Sequence, residues 1–532
     1  MSRCRAGLGT PGGVVSVLAL LCVHCGSAQP HAEAGGNGGG GPGAAGQSGE
    51  QAGTGQASGG AASGGRASSG GRAGSAGSPG PAVDTTPGGP GCGFGDSPTF
   101  CDTFDAPSPQ MGRAGELDSL DWSGARQQPQ VPTGAGLAIG IIEGVIPSCR
   151  SGVPAPVFPD QDTLICDPNG AITSHHLLTA AAAQNYGQNS YRIRQPFDFA
   201  GRTGKIVFDG EAFTQQLLGW ISLEISEDPT PGPSFALGSP GTANDEGSVV
   251  PRNAVQIQFA NACNGHGDTP SAGISAIVVD TNYVQTANIP TDLVCMKTLQ
   301  GSLNHIEVTL SQSRVEVFAT DASPDGSSFG APVLLYGLDL DLGFSRGYVS
   351  ITTHNHATRK YSPENALSAW SARWDNVGFD GPPISNFREY EIPDSLTKAT
   401  NAFNNNEAVT NIGYLVADVG SSPNPAVHFH GVDTSGQTKA RLALSTWYLR
   451  GDATATYVLR YRFNGGAWHD RKLSADELTV LNDSRSQGAM GIIIEVAMSD
   501  LVSGDNSLEF QAENIPQNYP PVVSNIDLIL SH

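Results

Sequence analysis

Along most of the chain, apolar and polar residues alternate with the two-residue period of β-strands. Up to residue 379 the alternating runs are bounded by Gly, Pro, Asn or Asp: 205-KIVFD-209, 220-WISLEIS-226, 254-AVQIQFA-260, 305-HIEVTLSQSRVEVFAT-320, 347-GYVSITTH-354 and 370-WSARWDNVGF-379. Helical periodicity is limited to 173-TSHHLLTAAAAQ-184 and 472-KLSADELTVLN-482, where the pattern predicts short helices. The pattern therefore predicts an all-β fold of antiparallel strands.

A second set of alternating runs follows the segment 381-GPP-383, which ends any strand. It comprises 412-IGYLVADV-419, 426-AVHFHGV-432, 439-KARLALSTWYL-449, 455-ATYVLRYRF-463, 491-GIIIEVAM-498, 507-SLEFQAE-513 and 523-VSNIDLIL-530. The two sets predict two antiparallel β-sandwich (jelly-roll) domains, residues 92–381 and 382–532.

The first 28 residues are organised like a secretory signal peptide. Arg3 and Arg5 carry positive charge, residues 14–23 form an apolar run, and residues 26–28 (GSA) are small. The run is too short to span a bilayer, and no later stretch reaches the roughly 18 apolar residues of a transmembrane helix. We expect an exported protein without a membrane span, either secreted or held at the cell surface.

Two cysteines, Cys22 and Cys25, lie where a bacterial lipoprotein signal carries its acylated cysteine. Such signals resemble Leu-Ala-Gly-Cys, with a small residue before the cysteine, whereas Leu21 and His24 precede these two. Free secretion and a lipid anchor at Cys22 or Cys25, as in an outer-membrane lipoprotein, both stay open.

A low-complexity segment follows the signal peptide. Residues 31–90 are almost wholly Gly, Ala, Ser, Pro, Gln and Asn, and such a composition cannot bury enough apolar surface to offset its ordering entropy. A coil of this length reaches roughly 40 to 45 Å. The sequence therefore predicts a disordered tether over residues 29–91.

The mature chain keeps an even set of six cysteines. In an exported protein this predicts disulfides, and closure between nearest neighbours requires the shortest loops. The expected pairs are Cys92 with Cys101, Cys149 with Cys166, and Cys263 with Cys295. No Cys-x-x-Cys occurs in the mature chain, so the spacing does not indicate a zinc site.

The charge balance excludes one class of partner. The chain has 28 basic and 50 acidic residues, a formal net charge of -22, which would repel nucleic-acid phosphates. No motif indicates a cofactor or a metal, and a structural calcium ion would also lack a motif.

One strand combines an aromatic ring with polar groups on a single face. Because side chains alternate along a strand, Trp220, Ser222, Glu224 and Ser226 share one face of 220-WISLEIS-226. Sugars present apolar CH faces that stack on aromatic rings, and their hydroxyls need hydrogen-bond partners. This face therefore predicts sugar contact, although a Trp covered by a long loop would give the same pattern.

The stretch 350-SITTHNHATRKYS-362 places Thr352, His354 and His356 on one strand face. If Ile351 faces the core, the histidines border the polar face that carries Trp220. Two histidines supply at most two metal ligands, and the sequence offers no evident third. A solvated face, a sugar contact and a metal site stay open, in that order.

Several segments resemble concanavalin A-like (laminin-G-like) sandwiches of exported bacterial proteins. The segments 100-FCDTFDAP-107 and 372-ARWDNVGFDG-381 resemble the first and last strands, which pair within one sheet of that fold. The segment 302-SLNHIEVTLSQSRVEVFATD-321 resembles its central hairpin. The resemblance implies a concave polar face that commonly holds sugars.

Family-16 glycosidases share that fold and carry a Glu-x-Asp-x-Glu strand whose carboxylates act on the glycosidic bond. This chain has 224-EISED-228, in which Ser226 replaces the middle aspartate and Asp228 the final glutamate, and Pro229 follows directly. The resemblance makes Glu224 and Asp228 the candidate catalytic residues. Carboxylates on a solvated strand face would look the same.

The C-terminal segment 501-LVSGDNSLEFQAENIPQNYPPVVSNIDLIL-530 resembles the last strands of galactose-binding-like jelly rolls, including carbohydrate-binding modules. In such modules the Asn of the last motif, here Asn525, contacts the ligand. Trp468 follows the turn 464-NGGA-467 and is the neighbouring aromatic candidate, with Trp447 and Tyr461 as others.

Three functions fit these features. The sequence favours a secreted or surface-tethered carbohydrate-binding protein whose partner is a glycan. An extracellular glycoside hydrolase or polysaccharide lyase is the first alternative, and a structural or adhesive surface protein is the second.

The cysteine spacing generates a testable prediction. We expect the mature protein to hold three disulfides with the nearest-neighbour pairing, because the chain is exported and its cysteines are even in number. Non-reducing peptide mapping by mass spectrometry measures the pairing. Free thiols at Cys263 and Cys295 would contradict it.

Overall fold

The structure is a computed structural model. It describes residues 86–87, 89–105, 108, 110–127, 132–133, 136–137, 163–166, 176–181, 187–213, 219–229, 252–260, 271–281, 294–297, 304–320, 330–355, 370–393, 413–414, 426–447, 449, 451, 458–482, 490–512 and 521–532. The predicted signal peptide and almost all of the predicted tether lie outside these residues. Among them, no helix is long and apolar enough to cross a membrane.

Short antiparallel strands build the first part of the described chain. In chain order they are β1 (Phe100–Asp102), β2 (Met111–Gly112), β3 (Gly115–Asp118), β4 (Trp122–Gln127), β5 (Pro132–Thr133), β6 (Gly136–Leu137), β7 (Thr163–Cys166), β8 (His176–Ala181), β9 (Gly187–Ile193), β10 (Phe197–Asp198), β11 (Gly204–Phe213), β12 (Gly219–Ser226), β13 (Ala254–Ala260), β14 (Ser271–Val279), β15 (Val294–Lys297), β16 (Asn304–Ser311), β17 (Arg314–Thr320), β18 (Val333–Asp339), β19 (Arg346–Asn355) and β20 (Trp370–Phe379).

Two sheets of this part pack face to face as the first sandwich. The first sheet has the order β18-β17-β16-β11-β20-β8-β7, with β1 also beside β20. The second sheet has the order β15-β14-β13-β12-β19-β9-β4, with β10 also beside β19. The pairs β2–β3 and β5–β6 form separate two-stranded sheets.

The core of the first sandwich follows from strand alternation. Ile221, Leu223 and Ile225 of β12 point inward and are almost completely buried. They share this core with Phe208 and Trp374 of the first sheet, whose ring centroids are 5.4 Å apart. Because successive side chains point to opposite faces, the polar residues of the same strands lie on the outer faces.

Both strand pairings that the concanavalin A-like resemblance implied for this part are confirmed. The first and last strands pair in register, with Phe100 opposite Phe379. Residues 304–320 form the expected hairpin of β16 and β17. The disulfide between Cys92 and Cys101 is also present, with α-carbons 5.7 Å apart.

The secondary structure predicted for one segment is wrong. The segment 173–184 was expected to be helical, whereas His176–Ala181 forms strand β8. This strand pairs with β7 on one side and with β20 on the other. Pairing on both edges supplies backbone hydrogen bonds that outweigh the high helix propensity of the alanines.

The second sandwich comprises the remaining described strands and one α-helix. They are β21 (Phe387–Glu391), β22 (Gly413–Tyr414), β23 (Val427–Val432), β24 (Lys439–Trp447), β25 (Leu459–Phe463), β26 (His469–Arg471), α1 (Ala475–Asn482), β27 (Met490–Val496), β28 (Gly504–Ala512) and β29 (Val522–Ser531), with a short 3-10 helix at Met498–Asp500. One sheet has the order β21-β29-β24-β27, with β22 parallel to β29, and the other has the order β23-β28-β25-β26. These two sheets enclose a second core, separate from the first.

The helix predicted at residues 472–482 is confirmed as α1, and its start has a local cause. The Ser474 hydroxyl accepts a hydrogen bond from the Glu477 amide at 3.1 Å. The Glu477 carboxylate accepts one from the Ser474 amide at 2.7 Å. This reciprocal capping box satisfies two amides that a helix leaves without partners.

Arginines of the first sandwich meet carboxylates of the second in a buried ionic cluster, made of Arg113, Arg192, Arg194, Glu389, Glu391 and Asp527. Arg113 Nη2 lies 2.6 Å from Asp527 Oδ1, and neither side chain has solvent exposure. Arg192 donates to both oxygens of Glu389, at 2.5 and 3.1 Å.

Hydrogen bonds complete the ionic cluster. Arg113 Nη1 donates to the carbonyls of Ile392 and Ile526, at 3.1 and 3.3 Å. Burial raises the pKa of Glu389, but Arg192 and Arg194 outweigh that effect, so its pKa lies below the usual range. Opposite charges and carbonyl acceptors thus compensate much of the cost of removing these groups from water.

Removing one member of the ionic cluster should destabilise the protein strongly. We expect Asp527→Ala to lower the free energy of unfolding by about 3 to 5 kcal/mol, because Arg113 is left buried without its carboxylate. Urea denaturation followed by circular dichroism measures the change. The control is Asp339→Ala, whose ion pair with Arg314 is exposed and should contribute little. Equal stability of the two variants would contradict the prediction.

Candidate functional site

A row of polar side chains crosses the outer face of the second sheet. Gln256, Glu224, Ser350, Arg192 and Ser123 lie opposite one another on β13, β12, β19, β9 and β4. We call these five residues the polar row. All five are buried, and the last two reach the ionic cluster through Glu389 and Asp527.

A second row lies beside the polar row on the same face. Gln258, Ser222, Thr352 and Ser190 are register partners on β13, β12, β19 and β9. Thr352 Oγ1 donates to Ser190 Oγ at 3.1 Å. The structure thus adds hydroxyl and amide groups to the face predicted from β12 alone.

The next positions outward along these strands are aromatic or imidazole residues. Trp220 and His354 are register partners, so they belong to the same face as Ser222 and Thr352. Ile351 lies in the core, and β19 continues through His354 to Asn355. His356 lies outside the described residues. Trp220 and His354 therefore occupy adjacent positions at one end of the polar face.

Two glutamines orient the carboxylate at the centre of this face. Gln258 Nε2 donates to Gln256 Oε1 at 2.6 Å, and Gln256 Nε2 donates to Glu224 Oε1 at 2.6 Å. Both polar atoms of the Gln256 amide therefore have a defined partner. The chain of amides presents a donor to Glu224 from one side.

Glu224 is a buried carboxyl group, with 3% of its surface exposed. Burial raises its pKa to about 7, while the hydrogen bond from Gln256 acts in the opposite direction. Among the described residues, no lysine, arginine or histidine forms an ion pair with it. Near neutral pH both protonation states are populated, so the group donates or accepts a hydrogen bond.

The two predicted catalytic carboxylates, Glu224 and Asp228, have different hydrogen-bond partners, Gln256 and Arg252. Asp228 lies beyond the end of β12, and its Oδ2 accepts a hydrogen bond from Arg252 Nε at 2.9 Å. The ion pair with Arg252 gives Asp228 a local structural role.

In the second sandwich the predicted ligand residues occupy different sheets. Asn525 lies on β29, is fully buried, and donates from Nδ2 to Ser445 Oγ at 3.2 Å. Trp468 precedes β26 in the other sheet and is half-buried. Asn525 has a backbone φ of 48°, a conformation that asparagine tolerates well. Asn525 is buried and hydrogen-bonded within its sheet, so it does not lie on an open surface.

Sequence reasoning missed the partners of Glu224, although the signal was present. Gln256 and Gln258 alternate with Val255 and Ile257 in 254-AVQIQFA-260, so their shared polar face was predictable. What the sequence does not give is the register that places Gln256 opposite Glu224. Among the described residues, no group of three or more His, Cys, Asp or Glu is arranged to hold a metal ion.

Comparisons with known proteins give no family for this chain. No protein-family model and no curated protein matches it. Among solved structures, the VIP36 exoplasmic/lumenal domain bound to Ca²⁺ and Man3GlcNAc is 15% identical, with a TM-score of 0.25, covering 42% of this chain and 85% of that one. Lectin II from Ulex europaeus is 10% identical, with a TM-score of 0.26, covering 42% and 94%.

Basic winged bean lectin with Tn-antigen is 10% identical, with a TM-score of 0.27, covering 51% of this chain and 97% of that one. Because the identities and TM-scores are this low, these solved structures do not indicate which ligand this chain binds. The candidate site therefore rests on its own residues.

The raised pKa of Glu224 has a consequence for stability. The contribution of Glu224 to the free energy of unfolding is complete below the ordinary glutamate pKa of 4.5. It is lost as the pH rises through about 7, because the buried carboxyl group then ionises in the folded state, where its charge is unfavourable. Glu224→Gln should therefore gain about 2 to 3 kcal/mol over wild type between pH 5 and pH 8.

Urea denaturation at the two pH values measures this gain. Glu495→Gln is the control, because Glu495 is exposed on β27 and should keep the wild-type pH dependence. If the free energy of unfolding changes with pH in the same way in wild type and Glu224→Gln, the Glu224 carboxyl group does not have the raised pKa described here.

Proposed function

We propose that this protein is a carbohydrate-binding protein and that the outer face of its second sheet contacts the sugar. The observation that carries the proposal is the in-register arrangement of Ser222, Glu224, Gln256 and Thr352 on three adjacent strands. Hydroxyl, amide and carboxyl groups on one face match the closely spaced hydroxyls of a saccharide. These four side chains are almost completely buried, so binding requires that this face opens to the sugar.

The protonation of Glu224 suits a ligand whose hydroxyls both donate and accept. An ionised carboxylate accepts hydrogen bonds only, whereas a protonated one also donates. With a pKa of about 7, Glu224 is available in both forms near neutral pH. The amide chain from Gln258 fixes the direction of Gln256, which limits the entropy lost on binding.

The positions of Trp220 and His354 at one end of this face supply the apolar part of recognition. A saccharide ring stacks its CH face on an aromatic side chain, and Trp offers the largest such surface. The register of Trp220 with His354, two residues from Ser222 and Thr352 along the same strands, supports this part of the proposal.

The proposal includes the location of the protein outside the cytoplasm. The signal peptide and the Gly/Ser-rich tether support export, and a tether of this composition suits a domain presented away from a surface. We propose a secreted or surface-held protein, with Cys22 or Cys25 as the anchor in the lipid-linked form.

A glycan array with the mature protein, followed by calorimetry with the best-bound glycan, tests this function. Trp220→Ala should lower the affinity at least about fivefold, because it removes a stacking contact of about 1 kcal/mol. Glu224→Gln keeps the shape of the site and should weaken binding less at pH 5.5 than at pH 8, since wild-type Glu224 is already mostly protonated at the lower pH.

Glu495→Gln is the matched control for the amide substitution and should bind as wild type does. Unchanged affinity in both Trp220→Ala and Glu224→Gln would contradict a site on this face. Release of reducing or unsaturated sugars by wild type that disappears in Glu224→Gln would instead establish an enzyme.

A further inference from the structure

The second sandwich carries an aromatic residue packed on two cations. On β25 the side chains of Leu459, Tyr461 and Phe463 are buried in the core, so Arg460 and Arg462 point to the outer face. Both guanidinium groups contact the indole of Trp468. Their Cζ atoms lie 4.9 and 4.6 Å from its ring centroid.

Cross-strand partners hold both arginines in place. Arg462 donates from Nε and Nη2 to the two oxygens of Glu509, at 3.0 and 2.7 Å. Arg460 donates from Nε to Gln511 Oε1 at 2.8 Å. Glu509 and Gln511 are the register partners of these arginines on β28, so the strand pairing itself sets the geometry.

The turn before Trp468 is also fixed. Asn464 and Gly465 adopt positive φ values of 53° and 66°, which asparagine and glycine tolerate. Asn464 Nδ2 donates to Asn506 Oδ1 at 2.9 Å, and its Oδ1 accepts from the Ser507 amide at 3.0 Å. The indole is therefore held in one position while part of its surface remains open to solvent.

We propose that Trp468, with Arg460, Arg462, Glu509 and Gln511, forms a second saccharide-binding surface. The indole offers a stacking platform, and the guanidinium groups donate to ring and hydroxyl oxygens at its edge. Glu509 and Gln511 accept from saccharide hydroxyls. Because the side chains already have their positions, little rotamer entropy is lost on binding.

The overall charge of the protein, rather than that of this surface, favours a neutral saccharide chain. The charge of Arg462 is matched by the bidentate contact with Glu509. The net charge of the whole protein, -22, adds a repulsive field for polyanions. Neutral polysaccharides present hydroxyls and CH faces without charge, which matches the groups on this surface.

The two surfaces would act together. The buried ionic cluster joins the sandwiches directly, through contacts such as Arg113 with Asp527. A long neutral polysaccharide that reaches both surfaces binds the second one intramolecularly, which raises the apparent affinity above that of either surface. The surface at Trp468 stands on its own residues and does not depend on the function proposed for the first sandwich.

Calorimetry of the mature full-length protein with short neutral oligosaccharides, the manno-, gluco- and galacto-series, tests the proposal. We expect two binding events per chain for wild type. Trp468→Ala should remove one event and leave the other unchanged, whereas Trp468→Phe should restore it with reduced affinity. Val502→Ala, at an exposed apolar residue, is the control. Circular dichroism verifies that each variant is folded.

The outcomes separate the two surfaces. Loss of all binding in Trp468→Ala, with Trp220→Ala equal to wild type, supports this surface and rejects the one on the first sandwich. Unchanged stoichiometry in Trp468→Ala overturns the proposal. Binding of uronate or sulfated oligosaccharides alone, sensitive to Trp468→Ala, overturns the assignment to neutral saccharides.

Discussion

Buried charge between the two sandwiches is the constraint on which the remainder of the structure depends. Arg113 and Asp527 are 2.6 Å apart with no solvent exposure, so neither tolerates the loss of the other. Arg192 belongs both to this ionic cluster and to the polar row that contains Glu224. The register of the second sheet therefore connects the interface to the candidate site, and displacement of the second sandwich would remove the partners of Arg192.

The candidate surfaces follow from the same strand geometry. Each sheet buries one face in a core, and the polar residues that alternate with the core residues collect on the other. On β12 this places Glu224 beside Gln256, and on β25 it places Arg460 and Arg462 under Trp468. The first surface centres on a carboxyl group with a raised pKa and the second on cations, so the two differ in their response to pH.

Local patterns in the sequence predicted most strands, because alternation depends on neighbouring residues alone. The pair Cys92–Cys101 was predictable for a similar reason, since its loop is short. The ionic cluster was not, because 414 residues separate Arg113 from Asp527 and no local pattern links them. The strand β8 was missed because two neighbouring strands determine its conformation. The bonding of Asn525 likewise depends on the pairing of β29 with β24, which brings in Ser445 and which its motif does not report.

We propose that both sandwiches present saccharide-binding faces. Amide hydrogen exchange, measured by mass spectrometry with and without a saturating neutral polysaccharide, tests it most directly. The account predicts slower exchange in two places, residues 219–226 with 346–355 and residues 459–471. Slower exchange confined to other segments, or no change at saturation, would contradict it.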